Sequence, residues 1–360
     1  MRQRDNTANN PKVTVKAKID FRNYTGIITN VCVLAKQVGT EASLGNINPT
    51  NVTVTYQAAE HLFRVAGKTP GQVSLARSNE WEWVVTHVNE VELKKPFPFC
   101  TSGVHRVYTI FGEPEPPWDN TYGSPQNAWV TALDFAILTN NCNGANSTHT
   151  ALANITSYLH SGHGLTYDTD RGSSVYIELN GAFNMTKYIN KANKNIVNCY
   201  DQAGGVYVTS SLLGIPSEFV FMGRTRSNGK SPFGYINVVN LVGEGLCNNP
   251  FYPKTSGGKI TADPDAVDSA VRRSFVNHAF VRYWGLIYDA CAGPYLGAGD
   301  LQQYATTSID ITSIPERQWS PDGNGSAWGG VWIGNIDGVF SAMEVNNAVD
   351  PTQHMVNGVQ

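Results

Sequence analysis

The hydrophobic pattern of the chain is that of β-strands over its first third. From residue 11 to about 115, apolar and polar positions alternate with a period of two, and the segments are rich in Val, Thr and aromatic residues. Such segments are KVTVKAKIDF, NVTVTYQA, EWEWVVTHV and HRVYTIFG, with turn clusters such as GNINPTN between them. The pattern predicts a β-sandwich over residues 1–118, and the Pro-rich GEPEPPWDN at 112–120 is typical of a linker.

Helical spacing appears after this segment. The stretch STHTALANITSYLHSG, residues 147–162, places its apolar residues on one helical face, with Ser147 as the N-cap. FNMTKYINKANK predicts a second, shorter helix. A third helix is predicted roughly from Cys199 to Leu213, where Gly214 suits a left-handed cap.

Strand-like segments return after the third helix. They are EFVFMGR, GYINVVNLVG, SFVNHAFVRYW and LIYDAC. Residues 119–305 therefore predict a helical cluster followed by an antiparallel sheet, which is an α+β domain. Residues 306–360 are rich in Gly, Pro and Ser and predict an extension that packs on this core, with VWIGNIDGVFSAMEV as a last strand pair.

Composition and charge narrow the range of partners. Charged residues make up 15% of the 360 positions and the net charge is −3, so we expect no nucleic-acid partner. No apolar run approaches the roughly 18 to 20 residues of a membrane span. The low-charge, Asn/Gly-rich surface is typical of exported proteins, so we expect a periplasmic, cell-surface or extracellular protein whose signal has been removed. The alternative is a cytoplasmic protein, and the oligomeric state is not predicted.

The cysteines supply the first candidate chemistry. Six cysteines without a compact framework spacing fit a mixture of buried thiols and one or two disulfides. Cys199 stands out because it opens the third predicted helix, where unpaired N–H groups and the helix dipole stabilise a thiolate and a developing oxyanion. The alternative for a lone cysteine is a small buried apolar side chain.

A histidine and an aspartate fall on one predicted hairpin. If Trp284-Gly285 forms a two-residue turn, Tyr283 pairs with Leu286. His278 and Asp289 are then diagonal cross-strand neighbours on one face, where the carboxylate can fix the imidazole tautomer. The alternative is a histidine packed in the core and an aspartate that ends a strand, and a one-residue slip would separate the two side chains.

In chain order, these three residues resemble the transglutaminase-like superfamily of cysteine acyltransferases and hydrolases. The resemblance covers about residues 140–300. It is carried by CYDQA at 199–203 with LGIP at 213–216, by NHAF at 277–280, by YDA at 288–290, and by the helix at 147–161 followed by GLTYD. It implies a papain-like α+β core with the cysteine helix packed on an antiparallel sheet. It also implies Cys199 as the nucleophile, His278 as the general base and acid, and Asp289 as the orienting residue.

The chain departs from the family pattern in two places. The long gap between cysteine and histidine predicts an insertion at 223–265, which would act as a lid or a substrate-binding loop. The family also uses a side-chain oxyanion donor, for which Tyr167, Gln202 and Trp129 are the candidates beside the backbone N–H of Cys199.

The resemblance implies acyl transfer through a thioester on Cys199, with a protein or peptide as substrate and no cofactor. Resolution by water gives a peptidase or deamidase and is favoured over cross-linking by an amine. The alternative is a catalytically silent scaffold with a binding or structural role. A papain-like protease fits less well, because no asparagine follows in a suitable strand. His160 and His163 raise the question of zinc, but their spacing fits no strong template, so no metal is predicted.

Overall fold

The structure is a computed structural model of the chain. It describes residues 12–20, 27–38, 45–55, 57–68, 75–118, 128, 130–168, 172–177, 183–192, 195–226, 229–231, 235–236, 239–243, 245–247, 277–310, 324–328 and 331–335. The chain divides into two compact units, Met1–Thr109 and Ile110–Gln360. No helix within the described ranges is long and apolar enough to cross a bilayer.

The first unit is built from antiparallel strands. They are β1 (Lys12–Ile19), β2 (Asn30–Val38), β3 (Ile47–Thr53), β4 (Ala59–Lys68), β5 (Leu75–Val88), β6 (Val91–Thr101) and β7 (His105–Thr109). Their hydrogen-bonded order is β1-β4-β3-β2-β5-β6, and β7 pairs with the first part of β5. The period of two buries Val31, Val33 and Ala35 of β2 beside Trp81 and Trp83 of β5, so the predicted alternation forms the core of this unit.

The second unit carries the helices. They are α1 (Val130–Asp134), α2 (Thr148–Ser157), α3 (Met185–Ile189), α4 (Cys199–Leu212) and α5 (Leu301–Ser308). Single π-helical turns, Phe135–Thr139 and Tyr158–Gly162, extend α1 and α2. The predicted cap of α2 is confirmed, because the Ser147 side chain accepts a hydrogen bond from the Thr150 N–H at 3.0 Å.

The strands of the second unit are mostly antiparallel. They are β8 (Thr166–Tyr167), β9 (Ile196–Val197), β10 (Glu218–Arg226), β11 (Gly229–Ser231), β12 (Tyr235–Ile236), β13 (Val239–Leu241), β14 (Gly245–Cys247), β15 (Asn277–Tyr283), β16 (Leu286–Asp289), β17 (Ala292–Gly293), β18 (Tyr295–Asp300), β19 (Ile309–Asp310), β20 (Asn324–Trp328) and β21 (Val331–Asn335). The main sheet has the order β18-β16-β15-β10-β21-β20, with β11 beside β10. Helices and antiparallel sheets together confirm an α+β fold.

Small sheets connect the rest of the second unit. β8 and β9 pair in parallel, β13 pairs with β14 and β17, and β12 pairs with β19. The described part of the predicted 223–265 insertion thus contributes strands to the body of the unit. The first part of the predicted last strand pair forms β21, which pairs with the preceding β20 and with β10, whereas the second part, residues 336–345, lies outside the described residues.

The cysteine helix α4 lies at the centre of the second unit, and every residue except Tyr207 is buried. Two adjacent glycines allow aromatic rings to approach it closely. A Cβ at Gly204 would lie 2.8 Å from the Phe183 ring, and one at Gly205 would lie 2.6 Å from the Tyr188 hydroxyl. The glycine pair therefore fits the helix against these two rings, which offsets the poor helix propensity of glycine.

The segment at 110–118 packs on the end of this helix. Phe111 and Gly112 direct their N–H groups to the Leu213 carbonyl, and Glu115 N–H donates to the Ser211 carbonyl. The indole N–H of Trp118 donates to Val208 O at 2.8 Å. Since carbonyls at a helix end need outside partners, this segment belongs to the second unit, whereas the sequence pattern assigns it to a linker.

Gly214 ends α4 with a φ of +75°, as the sequence predicts. A Cβ there would also lie 2.6 Å from the backbone of Gly112. Gly285 is a matched control, because its φ is +79° and no described heavy atom lies within 4 Å of its Cβ position. We expect Gly285→Ala to lower the free energy of unfolding by about 1 kcal/mol and Gly214→Ala by about 3 kcal/mol. Equal losses in urea unfolding would show that the contact with Gly112 costs nothing.

Candidate active site

Cys199 is the first residue of α4, and its position is set by a capping box. The Asn198 side chain accepts a hydrogen bond from Asp201 N–H at 3.0 Å, and the Asp201 carboxylate accepts from Asn198 N–H at 3.2 Å. The parallel pair of β8 and β9 leads directly into this cap. The thiol therefore stands where first-turn N–H groups point outward, and only 3% of Cys199 is exposed.

Asp201 also binds a second segment to the start of the helix. Its carboxylate accepts the N–H groups of Val175, Tyr176 and Ile177 at 2.9, 2.9 and 3.1 Å. Complete burial raises the pKa of Asp201 to about 6, although the backbone donors act in the opposite direction. The result is a fixed frame around the first turn that carries the cysteine.

The histidine and the aspartate are brought together by the predicted hairpin. Trp284 and Gly285 both have positive φ, and Tyr283 pairs with Leu286, so the turn and its register are confirmed. The His278 Nε2 lies 2.7 Å from the Asp289 Oδ2, and both side chains are fully buried. A carboxylate only accepts, so Nε2 carries the proton in this contact.

Four donors surround the Asp289 carboxylate. Oδ1 accepts the N–H groups of Cys291 and Ala292 at 2.7 and 3.1 Å. Oδ2 accepts the His278 Nε2–H and, at 2.6 Å, the hydroxyl of Tyr304. Burial alone would raise the pKa of Asp289, but the imidazolium and these hydrogen bonds lower it below its ordinary value. The carboxylate is therefore the charged partner of the histidine.

Cys199 lies close enough to His278 to affect the protonation of its imidazole. Burial alone would lower the pKa of the His278 imidazole, but the Asp289 carboxylate and then the Cys199 thiol, as a hydrogen-bond and charge partner, raise it to about 10. Because Nε2 donates its hydrogen to Asp289, Nδ1 is the ring nitrogen that can exchange a proton with the Cys199 sulfur. Cys199, His278 and Asp289 therefore lie close together in the second unit.

The three predicted oxyanion side chains differ in position. Gln202 uses its amide N–H groups on the carbonyls of Leu159 and Ala290 at 2.9 and 3.3 Å, and its Oε1 accepts the Tyr188 hydroxyl. That bonding leaves no amide hydrogen for an oxyanion. Tyr167 is buried on β8, in register with Val197 two positions before the cysteine. Trp129 lies outside the described residues.

Tyr304 is a residue of the site that sequence reasoning missed. It lies on α5, and its hydroxyl is 3.1 Å from His278 Nε2 as well as 2.6 Å from Asp289 Oδ2. The sequence does signal the helix, because Asp300 and Gln303 form a reciprocal cap at its start. No local pattern shows that this helix returns to the histidine strand.

The two histidines that raise the question of zinc have structural contacts. His160 Nδ1 lies 3.0 Å from the Ala290 carbonyl and His163 Nε2 lies 2.9 Å from the Tyr188 carbonyl. Burial lowers the pKa of both imidazoles. No cluster of three or more potential metal ligands occurs within the described ranges. Among the described cysteines, Cys32, Cys100, Cys142, Cys199 and Cys291 are not in disulfides.

Comparisons with known proteins add little to this geometry. No protein-family model matches the chain, and no curated protein matches it. Among solved structures, the chain is similar to a transglutaminase from red sea bream, with 12% identity and a TM-score of 0.32. The match covers 74% of this chain and 48% of that enzyme, so the chain spans about half the length of the enzyme. A likeness this distant assigns no activity, and any assignment depends on the side chains of the site.

Proposed function

We propose that the protein is a transglutaminase-like cysteine enzyme that cleaves or transfers an amide or peptide acyl group through a thioester on Cys199. Hydrolysis, as a peptidase or deamidase, is favoured over cross-linking by an amine. The observation that carries the proposal is the buried contact of 2.7 Å between His278 Nε2 and Asp289 Oδ2, with a cysteine at a helix start close to the same imidazole. The proposed substrate is a protein or peptide, and the chemistry uses no cofactor.

In the first half-reaction, the Cys199 thiolate attacks the substrate carbonyl carbon and a C–S bond forms. Backbone N–H groups at the start of α4, with Tyr167 as the candidate side chain, stabilise the oxyanion. The His278 imidazolium then gives the Nδ1 proton to the leaving nitrogen as the C–N bond breaks. Ammonia or an amine departs and the acyl group remains as a thioester.

In the second half-reaction, neutral His278 takes a proton from water as the water oxygen attacks the thioester carbonyl. The C–S bond breaks, a carboxylic acid leaves, and the thiolate and imidazolium are restored. Asp289 remains a carboxylate throughout and holds the imidazole by Nε2. An amine in place of water gives a new amide by the same steps.

The test uses a short peptide with an internal glutamine, in the presence and absence of a fluorescent primary amine. We expect ammonia release, peptide acylation of Cys199 after an acid quench, and amine incorporation slower than hydrolysis. A faster amine incorporation would overturn the preference for hydrolysis. If neither glutamine peptides, a peptide library nor a nitrophenyl ester acylates Cys199, the catalytic proposal fails and the scaffold with a binding role is the better account.

A further inference from the structure

The hydroxyl of Tyr304 occupies a specific place in the buried site. It donates to the same Asp289 oxygen that accepts the His278 Nε2–H, at 2.6 Å, and it lies 3.1 Å from that nitrogen. The three polar groups thus form a closed triangle without exposure to solvent. A hydrogen bond to a buried charged acceptor is among the stronger ones in proteins, so the hydroxyl stabilises the carboxylate substantially.

The chemistry of the phenol keeps it a donor. Burial, and then the nearby Asp289 charge, raise the pKa of Tyr304 well above its ordinary value, so the hydroxyl is neutral across the range in which enzymes work. A neutral phenol beside an acceptor-only carboxylate must point its hydrogen at that carboxylate. The hydroxyl therefore restrains Oδ2 from a position beside the histidine donor.

The surrounding rings hold the phenol in place. The Tyr304 ring lies 4.9 Å from Phe280 and 5.0 Å from Tyr295, centroid to centroid. These contacts depend on the ring alone, and a phenylalanine would keep them. The hydroxyl is the part of this side chain that reaches the Asp289 carboxylate, so its contribution can be separated from that of packing.

We propose that Tyr304 is a positioning residue for the active site, which holds Asp289 charged and in line with His278 so that the imidazole faces Cys199. This inference rests on the proposed function for its catalytic consequence. The titratable groups near Asp289 are His278, Tyr304, His160 and Cys291, and Cys199 lies close to His278. Tyr304 is the one among them that stays neutral and donates to the carboxylate.

The test compares Tyr304→Phe with Tyr295→Phe. Tyr295 is the matched control because its ring packs on Tyr304 while its hydroxyl bonds with Thr307. The first readout is the rate of iodoacetamide labelling of Cys199 at about pH 5 relative to about pH 7. We expect this ratio to fall by about threefold or more in Tyr304→Phe, because loss of a donor to the charged carboxylate makes Asp289 easier to protonate. We expect the ratio of Tyr295→Phe to match that of the wild type.

The second readout is the nitrogen NMR signal of the His278 ring, which needs no catalytic activity. We expect the Nε2 signal to move in Tyr304→Phe and to stay in place in Tyr295→Phe. Wild-type labelling behaviour together with an unmoved signal in Tyr304→Phe would overturn the inference and leave Tyr304 as a packing residue. If the wild-type Cys199 is unreactive but the His278 signal moves, the proposed function fails while the positioning of Asp289 by Tyr304 stands.

Discussion

Cys199→Ala is expected to reduce acyl-enzyme formation to the background level, a loss of at least about 10³-fold. The reason is that the sulfur supplies the covalent bond, and alanine offers no atom to replace it. The measurement is the burst of nitrophenolate from 4-nitrophenyl acetate, with mass spectrometry of the peptide that contains position 199. Because α4 is almost entirely buried, the thermal midpoint of the variant is measured alongside its activity.

Cys100→Ala is the matched control for this prediction. Cys100 is an exposed free thiol on β6 of the first unit, so its removal deletes the same sulfur atom outside the unit that carries the proposed chemistry. We expect the burst of Cys100→Ala to equal that of the wild type. A burst that persists in Cys199→Ala but disappears in Cys100→Ala would show that Cys100, and not Cys199, is the nucleophile.

Asp289→Asn is expected to reduce the acylation rate by about 10²- to 10⁴-fold, because an amide supports the wrong tautomer of the histidine. It also removes one partner of a buried ion pair, which we expect to cost about 3–5 kcal/mol of unfolding free energy near neutral pH. The pKa of Asp289 is lower in the folded protein than in the unfolded chain. Its stabilising contribution is therefore present above about pH 4 and is lost as the pH falls through the folded value.

The difference in unfolding free energy between wild type and Asp289→Asn should thus shrink below about pH 4. Asp300→Asn is the matched control, since it makes the same chemical change at the helix cap of α5, where asparagine caps as well as aspartate. We expect Asp300→Asn to change stability by less than about 0.5 kcal/mol. An equal loss in both variants would show that the buried ion pair has no special role.

Local signals in the sequence were sufficient for the two elements that carry the proposed catalytic side chains. The helix from Cys199 is marked by its glycine and proline ending, and the structure places its last residue at Leu212. The hairpin is fixed by the Trp284-Gly285 turn, whose register follows once both residues adopt positive φ. Both are short-range features, in which a few adjacent residues decide the geometry.

The features that the sequence pattern missed depend on packing between segments that are distant in the chain. Tyr304 reaches Asp289 because α5 packs against β18 and β16. The amide hydrogens of Gln202 are bound by the carbonyls of Leu159 and Ala290, which are distant from it in the chain. The glycine pair in α4 is likewise explained by the Tyr188 and Phe183 rings of a different segment. These partners are distant in the chain, so no local spacing indicates them.

We propose that His278 activates the Cys199 thiol. The most direct test of this activation is the pH dependence of cysteine labelling by iodoacetamide. Two other thiols serve as controls in the same molecule. Cys100 lies at the surface, where the neighbouring protein partly shields its thiol from water and raises its pKa. Cys142 is buried, and burial raises its pKa to about 12. Mass spectrometry reads each site separately.

Near pH 6 we expect Cys199 to be labelled about tenfold or more faster than Cys100, although Cys199 is the more buried, while Cys142 stays unlabelled. In His278→Ala, labelling of Cys199 near that pH should fall by about tenfold or more, with Cys100 unchanged. The contrary result is a Cys199 that follows the pH dependence of Cys100 or stays as inert as Cys142 in both proteins. That outcome would show that Cys199 is an ordinary thiol and would contradict the proposed enzyme.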